Sequence, residues 1–196
     1  MFANRYTAFV DASTLAGVLR RNLILSLAEA EFFRIRWSVE VLDETEKAIA
    51  KILRRKEVAN AAQKARLSRN AMTAAFEEAE VSDFDAFDAA ADGLPDKDDV
   101  HVVAAALKAQ AAVIVTENLR HFPADVLTRL NLEAKSGDAF IADAIALDQG
   151  RAISAIHRMR NRFNNPQRSA EDLLLDMEAQ GLLQTVDALR SFVANL

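Results

Sequence analysis

Two short apolar runs constrain this chain more than any other feature: Tyr6–Val10 and Ala111–Thr116. The second is almost continuously apolar and rich in β-branched residues, the pattern of a strand buried on both faces of a parallel sheet. Parallel strands need crossover connections, usually helices, and the chain between the two runs carries helical patterning. The alternation predicts an α/β fold, a three-layer α/β/α sandwich with a mainly parallel central sheet. In such sheets ligands bind outside the carboxyl ends of the strands. Asp11 ends the first run and Thr116–Asn118 ends the second, so both fall where a site would be.

Around these strands, Ala12–Ser13–Thr14 reads as a turn and Leu15–Leu27 as a first helix. Phe32–Trp37 fits a short strand or a turn. Ser38 suits the N-cap of a helix starting at Val39, with Leu42, Ile49, Ile52 and Leu53 along one side. That helix breaks near Glu57–Asn60. Another follows over Ala61–Glu78, with Leu67, Ala71, Ala74 and Ala75 as its apolar stripe. Glu80–Gly93 is acidic and matches no element. Pro95 and Asp96 mark a helix start, and Val100, Val103, Ala104 and Leu107 give that helix its stripe. Ala124–Leu130 reads as a short helix, Leu132–Ala134 as a last strand and Gly137–Leu147 as a helix. From Asp148 the chain is helical in character, with a break at Asn164–Asn165–Pro166. The expected division is an α/β domain over 1–147 and a helical extension over 148–196.

Composition removes several chemistries. There is no cysteine, so disulfides, thiolate zinc sites and cysteine nucleophiles are excluded. The first residues lack the basic-then-apolar pattern of a signal peptide, and the apolar stretch around Val100–Val115 is too short and too polar for a membrane span. A cytoplasmic protein is the expectation, with no membrane partner. The net charge is −5, which alone argues mildly against a nucleic-acid partner, but its distribution is uneven. From Lys47 to Arg69 there are eight basic residues and one acid; from Arg151 to Arg168 five arginines and no acid; from Glu77 to Asp99 ten acids and one lysine. An acidic centre between basic arms suits metal-assisted phosphodiester chemistry, although charges on solvated helices also cluster without a function.

The acids divide by placement. Asp11 at a strand end is a ligand or a helix cap; Ser13 or Thr14 could cap instead and leave it free. Asp96, Asp98 and Asp99 sit at a helix start, where capping and the helix dipole already favour acids. Three acids in four positions exceed that need. Against the stripe of this helix Asp99 lies at the flank, and Asp98 points away. Glu40, Asp43, Glu44 and Glu46 share the Ser38 helix, and periodicity does not choose among them. His101, beside the acids, could ligate a transition metal; an ordinary satisfied or surface histidine is the plainer expectation. His121 lies in the loop after the Ala111–Thr116 strand, where it could contact a substrate phosphate. His157 has no evident partner.

Four segments together resemble the PIN-domain family: Phe9-Val10-Asp11-Ala12-Ser13, Trp37 through Glu44, Leu94 through Ala106, and Val113 through Phe122. The resemblance spans roughly residues 6–145, and the tail is similar to the helical extension of a bacterial subgroup. It implies a cluster of acids binding Mg²⁺ or Mn²⁺. The first family acid falls on Asp11, the second on Glu44, the third on Asp99 with Asp98 as the alternative, and the fourth position is Asn118. Ser13 and Thr116 match the small polar residues that support the cluster, and Asp96 could assist it. Where many relatives carry an acid before the loop phenylalanine, this chain has His121.

The resemblance implies a metal-dependent endoribonuclease acting on single-stranded or loop RNA, the toxin of a toxin–antitoxin pair, with a small antitoxin and a homodimer as expected partners. Lys51, Arg54, Arg55 and His121, with Lys64 and Arg69, could contact RNA. The competing reading is a weakly active or inactive PIN-fold module that binds RNA or protein, favoured by Asn118 and His121. A flap-type DNA nuclease would want an arch or DNA-binding module, and a phosphoacceptor receiver a lysine near the last strand; neither is evident. Because the acids should repel one another, removing the charge of Asp11 is expected to preserve or raise the stability of the metal-free protein.

Overall fold

A computed structural model describes residues 6–163 and 167–196; the break expected at 164–166 lies outside them. The chain forms two compact units, Met1–Gly17 with Arg34–Lys135, and Val18–Phe33 with Ser136–Leu196.

The first unit holds the sheet. β1 (Thr7–Val10) leads into a one-turn helix, α1 (Ala12–Leu15). The expected turn is therefore helical, because Asp11 itself caps α1: its side chain accepts the Ala12 N–H at 2.7 Å; the expected first helix divides at Ala16–Gly17. The remainder of that helix, α2 (Val18–Glu29), belongs to the second unit. β2 (Arg34–Ser38) runs directly into α3 (Val39–Arg55). Ser38 is the N-cap as expected, its hydroxyl accepting the Val41 N–H at 3.3 Å. Arg54 and Arg55 in the last turn favour the negative end of the helix dipole. Left-handed backbone at Glu57 and Asn60 then reverses the chain into α4 (Ala61–Ala75).

The buried face of α4 is not the expected Leu67–Ala71–Ala74–Ala75 stripe. Its buried residues are Ala61, Ala65 and Met72, while Leu67 is 60% exposed. Ala65 packs on Ile49, Ala50 and Leu53 of α3. Arg69 also ties the two helices, meeting Asp43 at 2.7 Å and Glu46 at 3.6 Å.

The unassigned acidic segment contains β3 (Glu80–Val81), paired with Trp37 and Ser38. A 3₁₀ stretch over Asp85–Ala91 follows and packs on α5 (Val100–Lys108). α5 is buried across Val102–Ala106, a wider face than the expected stripe. β4 (Val113–Val115), α6 (Ala124–Leu127) and β5 (Glu133–Lys135) complete the unit.

The strand order is β3-β2-β1-β4-β5, and each pairing is parallel. Crossovers are right-handed, so the connections β2→β3 and β3→β4→β5, which run in opposite directions across the sheet, lie on opposite faces. This is the three-layer α/β/α sandwich expected from the sequence. The direction reverses between β1 and β4, and the crevice at their carboxyl ends is the topological switch point where open α/β sheets bind ligands.

The second unit is helical: α2, α7 (Gly137–Leu147), α8 (Gln149–Asn161), α9 (Ala170–Ala179) and α10 (Leu183–Leu189). Leu173, Leu174, Met177 and Leu182 are core, whereas Leu183 is 59% exposed. Phe32 and Phe33 are packing residues, Phe32 beneath the Arg151 guanidinium and Phe33 edge-on to Phe140. Buried Asp138 accepts the N–H groups of Gln184 and Thr185 at the start of α10. Part of the second basic stretch is neutralised inside this unit: Arg162 pairs with Glu29, and Arg168 with Asp176. His157 donates to the Leu196 main-chain oxygen at 2.9 Å. Among the described residues no helix is long and apolar enough to cross a membrane.

Candidate active site

The switch point is built around Asp11. The sheet brings β1 and β4 together in register, Val10 opposite Val115, and the Asp11 N–H donates to the Val115 carbonyl at 3.0 Å. The Asp11 side chain is 4% exposed. Besides capping α1, it accepts the Ser13 hydroxyl at 2.5 Å and the Thr116 hydroxyl at 2.7 Å, both on Oδ2. Those hydroxyls are held in turn, since the Glu117 N–H donates to Ser13 and the Asn118 N–H to Thr116. Thr14 donates to the Val115 carbonyl and reaches Glu117 Oε1 at 3.3 Å. Asp11 is thus a cap and a site residue together, rather than freed by another cap. Thr14 and Glu117 are partners that sequence reasoning missed.

Glu44 on α3 and Asp99 at the start of α5 come close enough to feel the charge of Asp11 and, for Glu44, of Asp99. Burial above all pushes the Glu44 carboxyl above its ordinary value; His101 opposes the shift, and Asp11 and Asp99 add to it. Burial likewise raises Asp99; the His121 hydrogen bond opposes it, while the charges of Asp11 and Asp96 reinforce it. Asp96 caps the turn before α5, accepting the Asp98 N–H at 3.0 Å. Asp98 is exposed, and its main-chain carbonyl accepts from His101 Nδ1 at 2.7 Å. Asn118 is exposed at the rim beside Thr116.

His121 engages protein partners with both ring nitrogens. Nδ1 meets Asp99 Oδ2 at 2.7 Å, and Nε2 accepts from Arg120 Nε at 3.2 Å. It therefore orients Asp99, a contact with no local signal in the sequence. Asp96, Asp99 and His121 each offer a donor atom within 4.8 Å of the others and could hold a divalent cation. The wider set fits such an ion: carboxylates from separate elements, partly desolvated, mutually repelling, and rich in the hard oxygen donors that Mg²⁺ and Mn²⁺ take.

Lys51, Arg54 and Arg55 do not enter this cluster. They are exposed on α3 and, with Lys47, follow Glu44 at three- and four-residue steps along one helix face. Arg69 is engaged by Asp43 and Glu46. Trp37 is fully buried and packs edge-on against Phe76, so it is a core residue.

A parallel α/β sandwich with acids gathered at its switch point defines the class. The PIN-domain description matches residues 7–120, more than half of the chain, and the VapC50 C-terminal domain matches residues 137–191. The chain belongs to the PIN-domain family, in the VapC50-like subgroup with a C-terminal extension. It is 37% identical over 76 residues to a Mycobacterium tuberculosis protein named "Putative ribonuclease VapC50". That similarity spans 39% of this chain and 45% of the mycobacterial protein. No solved structure matches the chain.

Proposed function

We propose that this protein is a divalent-metal-dependent endoribonuclease that cuts single-stranded or loop RNA and serves as the toxin of a toxin–antitoxin pair, with a small antitoxin and a second copy of itself as partners. What supports the reading is the Asp96–Asp99–His121 cluster, whose donor atoms lie within 4.8 Å of one another, together with the charges of Asp11 and Asp99 acting on Glu44 and of Asp11 on Asp99. Asp11, Glu44 and Asp99 would hold Mg²⁺ or Mn²⁺, with Asp96 beside them. A hard divalent cation supplies charge neutralisation at a phosphodiester and makes water more acidic. Asp11 is the fixed point, because three hydrogen bonds leave its carboxylate no rotational freedom. Asp99 is steadied by His121, itself held by Arg120. The Asn118 amide at the rim can hydrogen-bond a phosphate oxygen or a water. The cationic face of α3 extends roughly 16 Å from Glu44 to Arg55 at about 1.5 Å per residue. It offers sequence-independent contacts to backbone phosphates, which position rather than specify.

The test is a mixed single-stranded RNA pool incubated with the protein and Mn²⁺, Mg²⁺ or EDTA, beside Asp11→Asn. Cleavage that needs metal and disappears in the variant supports the reading. Binding of RNA without cleavage under every condition favours the inactive PIN-fold module, to which His121 in place of an acid lends support.

A further inference from the structure

His101 is not the satisfied or surface histidine that its sequence context suggests. Its Nδ1 lies 2.7 Å from the Asp98 carbonyl. A carbonyl only accepts, so Nδ1 carries a proton, and the ring in its neutral form presents a bare lone pair at Nε2. That nitrogen is buried and has no hydrogen-bond partner among the described residues. It faces Glu44 Oε1 at 3.6 Å, beyond hydrogen-bond length whichever way the ring is protonated. With the ring neutral, two lone pairs face each other with no hydrogen bond between them, at a carboxylate that also feels the charges of Asp11 and Asp99. Two ligands on one cation, with bonds of about 2.1 Å, stand roughly 3–3.5 Å apart, close to the separation seen. Histidines that ligate metals characteristically donate their other ring N–H to a carbonyl or carboxylate, as His101 does to Asp98. His121 has both ring nitrogens engaged, Nδ1 by Asp99 and Nε2 by Arg120, and would have to give up one of these contacts to bind an ion.

We propose that His101 Nε2 is a nitrogen ligand, beside Glu44, to the divalent cation of this site, making a mixed nitrogen–oxygen centre that favours a transition ion such as Mn²⁺ over Mg²⁺. The inference rests on the metal-dependent reading above and deepens it. Imidazole suits transition ions, whereas Mg²⁺ takes oxygen.

The experiment is electron paramagnetic resonance of the full-length protein loaded with Mn²⁺. Electron spin-echo modulation should show a ¹⁴N coupling that changes to ¹⁵N in protein grown on ¹⁵N-histidine. The coupling should vanish in His101→Asn, whose amide can still donate to Asp98, and persist in His121→Asn. Loss of an outer-shell partner weakens metal binding about 10–100-fold, so His101→Asn should weaken Mn²⁺ at least tenfold. Mg²⁺ should change by less than about threefold, since it gains little from imidazole. Bound Mn²⁺ with no nitrogen coupling, or a coupling that survives in His101→Asn, overturns this inference and leaves the nuclease reading standing. An imidazolium–Glu44 ion pair would give that result. Absence of Mn²⁺ binding overturns both.

Discussion

Asp11→Asn isolates the tension at the centre of the site. Repulsion from Glu44 and Asp99 argues that removing its charge stabilises the metal-free protein, as the sequence suggests. The hydrogen bonds argue the reverse. Asp11 accepts three, from Ala12 N–H, Ser13 Oγ and Thr116 Oγ1, at 2.5–2.7 Å. Bonds to a charged group contribute about 1.5–3 kcal/mol each. An asparagine keeps one carbonyl acceptor and turns its –NH₂ toward groups that are themselves donors. At least one bond is broken and the remainder weakened. Relief of repulsion offsets part of this, because Glu44 is partly solvated and the interaction is screened. The net effect should be a loss of about 2 kcal/mol, which for a chain of this size lowers Tm by roughly 4–8 °C. The assay is thermal melting in EDTA of wild type and variant, followed by circular dichroism. A variant as stable as wild type, or more so, refutes the argument and restores repulsion as the dominant effect. Melts repeated with Mn²⁺ add a second comparison: ligand-linked stabilisation should appear in wild type and be largely absent in Asp11→Asn.

Other outcomes follow from the same geometry. His121→Ala frees Asp99 to rotate and should lower the cleavage rate about 10–100-fold without abolishing RNA binding, with partial recovery in His121→Gln. Glu44 and Asp99 have raised carboxyl pKa values, so the folded state holds protons that the unfolded chain has released. In EDTA the stability of wild type should therefore fall, relative to a Glu44→Gln/Asp99→Asn double variant, as pH rises from about 4 through the raised range. Urea melts at several pH values check the sign, and an upward trend would contradict it. Replacing Lys51, Arg54 and Arg55 with alanine should make the salt slope of RNA affinity shallower by about 0.7 for each phosphate that is no longer neutralised; an unchanged slope removes this face of α3 from the RNA path.

The strands at the switch point were legible because burial on both faces leaves an unmistakable apolar run, and Ser38 was legible because a cap is a local event. β3 was not, since two residues carry no periodicity and their pairing with Trp37 and Ser38 comes from the sheet. The face of α4 was misplaced because alanines mark a helix face weakly, and Leu67 drew the stripe to the solvent side. Within the site, Asp11 stood out by its position at a strand end. The His121–Asp99 hydrogen bond and the bare Nε2 of His101 depend on side chains meeting across the fold, which no local pattern encodes.

The central claim is that the acids at the carboxyl ends of β1 and β4 cut RNA with a divalent cation. The most direct measurement is cleavage of a mixed single-stranded RNA pool by wild type and Asp11→Asn, each with Mn²⁺, Mg²⁺ and EDTA. Wild type should cleave with metal, and EDTA or the substitution should abolish cleavage. Cleavage that persists in EDTA or in Asp11→Asn would contradict the claim.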